Sequence, residues 1–218
     1  MPDAPVHSLK VLFDPAVVSR FRGCGVTMLD SPTDVVPAAL AYLGRDPDSQ
    51  SAESLQAATD ALAKIRANVR KWDSADYINA LANGDTCLVL GYSGDVKQAA
   101  RRAAEARRGV RIEFAIPAEG AQLAVDAWAI PVDARNVANA HRFLDFVLRP
   151  EIAALNTNAI GYANAVPASL PMVDPAIRND PAVYPPEEIR ARLYTISPAT
   201  RAYERQRTRA WTRITTGQ

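Results

Sequence analysis

The amino-acid sequence predicts an α/β fold. Through the first half of the 218-residue chain, short apolar segments typical of strands alternate with segments typical of helices, as they do in α/β proteins. Hydrophobic residues make up 48% of the chain, which is enough to bury a sizeable core in one large domain or two lobes. No long apolar run occurs, so we expect no membrane-spanning helix.

Two helices have the clearest signals. Ser31 before Pro32 is typical of a helix start, and this helix is predicted to run to Gly44. Apolar residues three or four positions apart between Leu55 and Val69 predict an amphipathic helix. The other predicted helices lie within residues 9–21 and near residues 74–82, 96–107, 136–148, 150–158 and 187–194, and the predicted strands cover residues 26–30, 86–91, 110–117 and 122–131.

The charge balance excludes some partners. Lys and Arg number 25 against 24 Asp and Glu, a net charge of +1, so no global field attracts nucleic acid or an anionic membrane. The arginine-rich stretch RAYERQRTRAWTR, residues 201–213, is better interpreted as a solvated helical or extended surface than as a nucleic-acid site. The first residues, MPDAPVHSLKVLFDP, lack a basic stretch followed by an apolar one, so we expect no export signal in the chain as written.

The inventory of metal-binding residues is small. The chain has two cysteines, Cys24 and Cys87, no CxxC pair, and two histidines, His7 and His141. We therefore expect no metal site and no cofactor. The two cysteines can form a single disulfide if the compartment is oxidising.

The stretch LVLGYSGDVKQAA, residues 88–100, places Ser93 on a turn between a predicted strand and a predicted helix. A serine there suits a hydrolase nucleophile, but the nucleophile elbow G-x-S-x-G needs a glycine where Asp95 stands. Neither histidine follows a predicted strand, where the base of a catalytic triad is usually presented. Cys87 lies in an apolar strand and is predicted to be an inert core residue. A degenerate α/β serine hydrolase using Ser93 is kept as the alternative, and no enzymatic step is expected.

The same turn can instead bind a ligand, since open α/β sheets place ligands at the carboxyl ends of strands. Tyr92 supplies an aromatic ring and Asp95 a carboxylate. Asp126, inside a predicted apolar strand, needs a cation to offset its burial, and Tyr162 lies in a turn containing Gly and Asn. Two carboxylates with Tyr and Trp rings can enclose an alkylammonium, each cation–π contact contributing roughly 0.5–2 kcal/mol. The residues alone leave a plainer interpretation open, in which Asp95 stabilises a helix start and Tyr162 is a half-buried core ring.

Several longer strings resemble one family. NALANGDTCLVLGYSGDVKQAA, VDPAIRNDPAVYPP, RTRAWTRI, LDSPTDVVPAALAYLGRDP and GYANAV together resemble the periplasmic polyamine-binding proteins of ABC importers, and the putrescine-binding branch most of all. The resemblance extends from about Leu9 to Gly217. It implies a two-lobed receptor of the type II periplasmic-binding-protein fold, which captures putrescine or spermidine and delivers it to the permease subunits of an ABC transporter. It also implies a monomer located in the periplasm.

The resemblance assigns roles to four residues. The aromatic residue before the family's S/A-G-D string falls on Tyr92, where tryptophan is usual. The ammonium-binding carboxylates fall on Asp95 and Asp126, and the late pocket tyrosine falls on Tyr162. These are the four positions that the residue patterns indicate independently.

The sequence departs from the family at two pocket positions. The glutamate of the family's SP-x-E type segment corresponds to Thr33, with Asp34 beside it. The aromatic residue two positions before Asp126 is replaced by Ala124, and Trp128 on the same predicted strand face is the candidate replacement. Both departures bear on which amine is bound.

The chain is shorter than members of this family, which begin with an export signal and most of one lobe. The resemblance implies that residues 1–105 form a nearly complete second lobe and residues 106–218 the C-terminal part of the first, about three fifths of a receptor. A truncated receptor and a non-binding remnant are both consistent with this length. Because the family is periplasmic, the resemblance also implies that Cys24 and Cys87 are joined in a disulfide.

Overall fold

The computed structural model describes residues 3–217, and the predicted α/β fold is confirmed. The strands are β1 Val26–Met28, β2 Lys71–Trp72 and β3 Leu88–Leu90. The α-helices are α1 Lys10–Phe13, α2 Pro15–Val18, α3 Pro32–Tyr42, α4 Ala52–Ile65, α5 Tyr77–Asn83, α6 Ser93–Ala106, α7 Val137–Val147, α8 Pro150–Ile160, α9 Pro175–Arg178, α10 Glu187–Arg190 and α11 Arg201–Thr216. Short 3-10 segments cover Ser19–Phe21, Arg66–Asn68 and Pro167–Met172.

The three strands form a parallel sheet in the order β2-β1-β3. Thr27 of the central strand β1 lies opposite Lys71 on one side and Val89 on the other. All three β1 residues are buried, whereas the three β3 residues are half-buried. Parallel strands direct their carboxyl ends to one edge of the sheet, so the chain that follows β1 and the chain that follows β3 emerge side by side.

Helices α3 and α4 pack on each other and supply ten buried residues of the core. Helix α3 begins at Pro32, as predicted, because proline at the first helical position loses no intrahelical hydrogen bond. Helix α4 carries the predicted amphipathic pattern, and its apolar residues Leu55, Leu62 and Ile65 are buried. The predicted start and end of both helices agree with the structure to within a few residues.

The C-terminal helix α11 joins the same core, which the sequence did not predict. Its Trp211 packs edge to face on Trp72, with ring centroids 5.0 Å apart, and its indole N–H donates to Oδ1 of Asp30 at 2.9 Å. Arg207 is buried and pairs with Glu204. The arginine-rich segment is therefore an amphipathic helix with one buried face, and it was wrong to treat it as a solvated surface alone.

The predicted disulfide between Cys24 and Cys87 is present, with the two Cα atoms 5.6 Å apart. It joins the chain just before β1 to the chain just before β3. The backbone N–H of Cys87 also donates to the carbonyl of Gly25 at 3.1 Å. The two parallel strands therefore enter the sheet as a cross-linked pair.

The strands predicted over residues 110–117 and 122–131 are not formed. The region contributes one isolated bridge, between Gln122 and Tyr194. Within the described part of the chain, nothing hydrogen-bonds the backbone of residues 124–130. The prediction was wrong because a strand needs a neighbour to pair its N–H and C=O groups, and alternation along the sequence cannot show whether that neighbour exists.

Among residues 3–217, no helix combines the length and apolar character needed to cross a membrane. The same residues contain no cluster of His, Cys, Asp and Glu able to hold a metal ion. The division into lobes at residues 105 and 106 stays a prediction.

Candidate functional site

The candidate site lies where β3 ends and α6 begins, at the carboxyl edge of the sheet. Tyr92 has extended backbone and precedes α6 as its N-cap residue. Ser93, Gly94 and Asp95 form the first turn of the helix, which begins earlier than predicted. The carboxylate of Asp95 is favoured there because the helix N-terminus carries partial positive charge.

Both carboxylate oxygens of Asp95 accept tyrosine hydroxyls. Tyr162 donates to Oδ1 at 3.0 Å and Tyr77 donates to Oδ2 at 2.7 Å. Tyr77 is 1% exposed, and its hydroxyl oxygen also accepts the backbone N–H of Tyr92 at 3.0 Å. Tyr77 thus fixes the carboxylate and the turn that carries Tyr92 at the same time.

Two glycines make room for these rings. A Cβ placed on Gly94 would lie 2.1 Å from the ring of Tyr162, and one on Gly91 would lie 2.7 Å from the ring of Tyr77. Real side chains do not approach this closely. The glycines of the string GYSG therefore serve to admit two tyrosines and not to support a nucleophile.

A second carboxylate faces the same turn. The hydroxyl of Tyr92 donates to Oδ2 of Asp34 at 3.1 Å. Ser31, the N-cap residue of α3, also donates its hydroxyl to this oxygen, and Thr33 lies 3.5 Å from it. The exposed Thr33, which the family pattern predicted as a pocket residue, lies at the edge of the arrangement, while Asp34 makes the contact with Tyr92.

The tyrosines are neutral across the physiological pH range. Burial, followed by the nearby Asp34 carboxylate, raises the pKa of Tyr92 to about 12. Burial is also the main reason that the pKa values of Tyr77 and Tyr162 are raised, and Asp95 raises them further. A neutral phenol can donate to a carboxylate and keep an electron-rich face, so these rings suit a cationic ligand.

Among the residues that the structure describes, neither carboxylate of this cluster has a cationic partner. Within residues 3–217, Asp34 and Asp95 form no ion pair with a lysine or arginine. Both are partly buried, and a carboxylate removed from water is costly unless a cation or several donors offset its charge. Their hydroxyl partners leave lone pairs on both groups free to accept N–H bonds from a ligand.

The structure does not bring Asp126 and Trp128 to this cluster. Both residues are exposed on the extended segment where a strand was predicted. Trp128 packs edge to face on Phe143 of α7, with centroids 5.1 Å apart, and Asp126 bonds to no other described residue. The expectation that Asp126 is buried between apolar neighbours is wrong, because the strand that would bury it is not formed.

Ser93 has no catalytic surroundings. It is the first residue of α6, and no histidine hydrogen-bonds to its hydroxyl in the described part of the chain. His141 lies exposed on α7. The position of Ser93 is explained by the turn that connects β3 to α6.

Sequence reasoning missed Tyr77 and undervalued Asp34. Tyr77 is the first residue of a seven-residue helix, with no motif around it, and only its contact with Asp95 shows its role. Asp34 was noted only as the neighbour of Thr33, and no sequence pattern indicated its contact with Tyr92. The two residues are joined to the site by contacts between segments far apart in sequence.

Relatives of this chain bind putrescine. The chain is 43% identical over 217 residues to the putrescine-binding periplasmic protein PotF of Escherichia coli, and 44% identical over 216 residues to the putrescine-binding periplasmic protein SpuD of Pseudomonas aeruginosa. Each alignment covers 99% of this chain and 59% of the relative. The chain therefore spans well under two thirds of the length of these curated relatives.

Solved structures show the same fold. A protein of Listeria monocytogenes, described as a candidate spermidine/putrescine ABC transporter, superposes with a TM-score of 0.86 at 25% identity, over 100% of this chain and 64% of that one. The substrate-binding protein PotD of Streptococcus pneumoniae gives a TM-score of 0.80 at 18% identity, over 99% and 63% of the two chains. The sequence profile of the bacterial extracellular solute-binding proteins matches residues 1–185. The chain therefore belongs to the family of bacterial extracellular solute-binding proteins.

Proposed function

We propose that this chain carries the polyamine-binding site of an extracytoplasmic receptor that supplies an ABC importer. One observation carries the proposal: Asp34 accepts the hydroxyl of Tyr92, Asp95 lies in the helical turn that follows Tyr92, and neither carboxylate has a cationic partner among residues 3–217. A ligand with two ammonium groups supplies the two missing positive charges. Putrescine is the first candidate because the relatives at 43% and 44% identity are named for it, and spermidine is the second.

Each pocket residue has a distinct part in this proposal. Asp95 accepts one ammonium, while Tyr77 and Tyr162 hold its carboxylate in place. Tyr92 presents its ring to the ligand, and its hydroxyl orients Asp34 toward the second ammonium. Cation–π contact with a ring contributes roughly 0.5–2 kcal/mol.

Asp126, Trp128 and Thr33 remain predicted pocket residues. Asp126 and Trp128 lie on an exposed, extended segment, so their contribution depends on that segment being ordered against a ligand or a neighbouring strand. Thr33 has a hydroxyl 2.8 Å from that of Ser31 and can accept an ammonium N–H at the edge of the site. Location in the periplasm, delivery to permease subunits and a monomeric state belong to the same proposal, and no catalytic step does.

Titration of the 218-residue chain with putrescine, followed by amide NMR, tests the binding site. We expect the backbone amide signals of Gly94 and Asp95 to shift as putrescine is added and to reach a plateau when the site is saturated. n-Butylamine, which has one ammonium on the same carbon chain, should bind more weakly than putrescine. Asp95→Asn should weaken the affinity for putrescine tenfold to a hundredfold. A hydrogen bond to a charged group contributes about 1.5–3 kcal/mol, and each 1.4 kcal/mol changes the dissociation constant about tenfold.

Asp60→Asn is the matched control. Asp60 is an exposed acid on α4 that bonds to Gln56, away from the site, and its substitution should leave the putrescine affinity unchanged. Equal affinity of wild type and Asp95→Asn, or equal binding of n-butylamine and putrescine, would show that the two carboxylates do not form a diamine site.

A further inference from the structure

A groove lies between helices α4 and α11, apart from the tyrosine cluster. It has a volume of about 680 Å³, and the residues that line it include Leu55, Thr59, Gln206, Arg209, Ala210 and Arg213. Pockets for small organic ligands span roughly 300–1,000 Å³. The groove shares no residue with the proposed amine site, so it is a separate candidate for ligand binding.

Arg209 and Arg213 supply all of the charge in the groove lining. Both are exposed, and no carboxylate lines the groove with them among residues 3–217. Within the same residues, neither guanidinium forms an ion pair. Arg207 of the same helix, by contrast, pairs with Glu204. The groove therefore holds two positive charges that the described part of the chain does not offset.

The spacing of the two arginines suits one doubly charged anion. Residues four positions apart are neighbours on the same side of a helix, so Arg209 and Arg213 project from adjacent turns of α11. A guanidinium binds phosphate or carboxylate oxygens through paired N–H bonds. A phosphate monoester carries a charge of about −1.5 to −2 at pH 7. One such group offsets most of both arginine charges, whereas a single carboxylate offsets one.

The rest of the groove suits a carbon skeleton attached to the phosphate. Leu55 is 6% and Ala210 is 2% exposed, so the base of the groove is apolar. Thr59 donates its hydroxyl to the carbonyl of Leu55 at 2.7 Å, which leaves the oxygen free to accept a ligand O–H. The amide of Gln206 can both donate and accept. A phosphate ion alone would contact none of the apolar base, so the lining fits an organic ester better.

We propose that the groove between α4 and α11 binds an organic phosphate monoester, with the phosphate held by Arg209 and Arg213 and the carbon skeleton lying over Leu55 and Ala210. The inference goes beyond the proposed amine binding and does not rest on it. The near-neutral charge of the whole chain does not oppose it. Salt screens exposed charges beyond about 8 Å at physiological ionic strength, so an anion in the groove responds mainly to the charges that line it.

Calorimetric titration of the 218-residue chain with glycerol 3-phosphate at physiological ionic strength tests the site. We expect saturable binding, and no binding of glycerol, which lacks the phosphate. Arg209→Gln and Arg213→Gln should each weaken the affinity about tenfold to a hundredfold, because each removes a charge-assisted hydrogen bond to the phosphate. Amide NMR should show saturable shifts at Gln206 and Thr59, which line the groove.

Arg201→Gln is the matched control. Arg201 is exposed on the same helix, outside the groove lining, and eight residues before Arg209, or about 12 Å along the helix axis. Its substitution removes the same charge, yet the affinity for glycerol 3-phosphate should change less than about twofold. Equal weakening by Arg201→Gln and Arg209→Gln would overturn the inference, because the general positive charge of α11 would then hold the anion.

Arg209→Lys separates geometry from charge. It keeps the positive charge but loses the guanidinium fork, so it should also weaken binding if the phosphate is held as proposed. Far-UV circular dichroism shows whether each variant is folded, and Arg209→Lys replaces Arg209→Gln if that variant is not.

Three further results would overturn the assigned ligand class. Inorganic phosphate bound as tightly as glycerol 3-phosphate would mean that the groove does not contact a carbon skeleton. Succinate bound as tightly would mean that it does not select phosphate. Binding to phosphatidylglycerol vesicles without binding to glycerol 3-phosphate would make a lipid surface the partner. No putrescine is present in these titrations, so their failure leaves the proposed amine site to its own test.

Discussion

The hydroxyl of Tyr162 donates to Oδ1 of Asp95 at 3.0 Å, across 67 residues of sequence. This bond joins the chain after α8 to the first turn of α6. Lys97, one turn further along α6, pairs with Asp180, and Arg101 donates to the carbonyl of Ala159. The position of the Tyr162 ring at the site is therefore set by the docking of this whole segment on α6.

Gly94→Ala should disrupt that docking. The new Cβ would lie 2.1 Å from the Tyr162 ring, so the ring or the helix must move. Overpacking of this kind costs about 1–3 kcal/mol of unfolding free energy. Urea denaturation measures it, and Gly23→Ala is the control because a Cβ there meets nothing within 4 Å. Equal unfolding free energies of Gly94→Ala and Gly23→Ala would show that the Tyr162 ring moves aside without loss of stability.

Neutralising Asp95 should change the unfolding free energy far more than neutralising Asp126. In the ligand-free chain, Asp95→Asn should lower the unfolding free energy by about 1–2 kcal/mol, because it removes a charged acceptor from two tyrosine hydroxyls. Asp126→Asn should change it by less than about 0.5 kcal/mol, since Asp126 is exposed. Denaturation of both variants at pH 7 decides the ranking, and a larger effect at Asp126 would contradict the structure.

Sequence patterns predicted those helix starts and turns that depend on neighbouring residues in the chain. Ser31-Pro32 located the start of α3, and the change from strand-like to helix-like sequence within residues 88–100 located the turn at the edge of the sheet. Residues 122–131 have equally good strand character, yet they form no strand because pairing depends on a neighbour elsewhere in the chain. Tyr77 was missed for a related reason, since its role arises only from contact with a residue 18 positions away. The family resemblance predicts Tyr92, Asp95 and Tyr162 as pocket residues, and the structure places these three residues close together.

Reduction of the Cys24–Cys87 disulfide should destabilise the chain. The two cysteines are separated by 63 residues, and closing a loop of this size stabilises the folded state by about 4 kcal/mol in the chain-entropy account. Urea denaturation with and without a reductant measures the difference in stability. A double variant, Cys24→Ser with Cys87→Ser, is the control that removes the disulfide without a reductant. Two titratable thiols in the unreduced, denatured protein would show that the bond is not formed.

Alkaline pH should weaken the fold through the tyrosine cluster. The pKa of Tyr92 is raised to about 12 by burial and by Asp34, whereas a tyrosine in an unfolded chain titrates near ~10. The folded state therefore holds this proton more tightly than the unfolded state does. Its contribution to stability is complete below pH ~10 and is lost as the pH rises through about 12. The pKa values of Tyr77 and Tyr162 are also raised, so all three act in the same direction.

Unfolding free energies measured between pH 8 and 12 should thus fall with rising pH, with tyrosinate absorbance appearing as the protein unfolds. Tyr92→Phe removes one of the three protons and should make the decline less steep, while also lowering stability at pH 8 through loss of the bond to Asp34. Comparing slopes and not absolute stabilities separates these two effects. An identical slope in wild type and Tyr92→Phe would mean that Tyr92 ionises as readily in the folded chain as in the unfolded one, and that its hydroxyl is not held against Asp34.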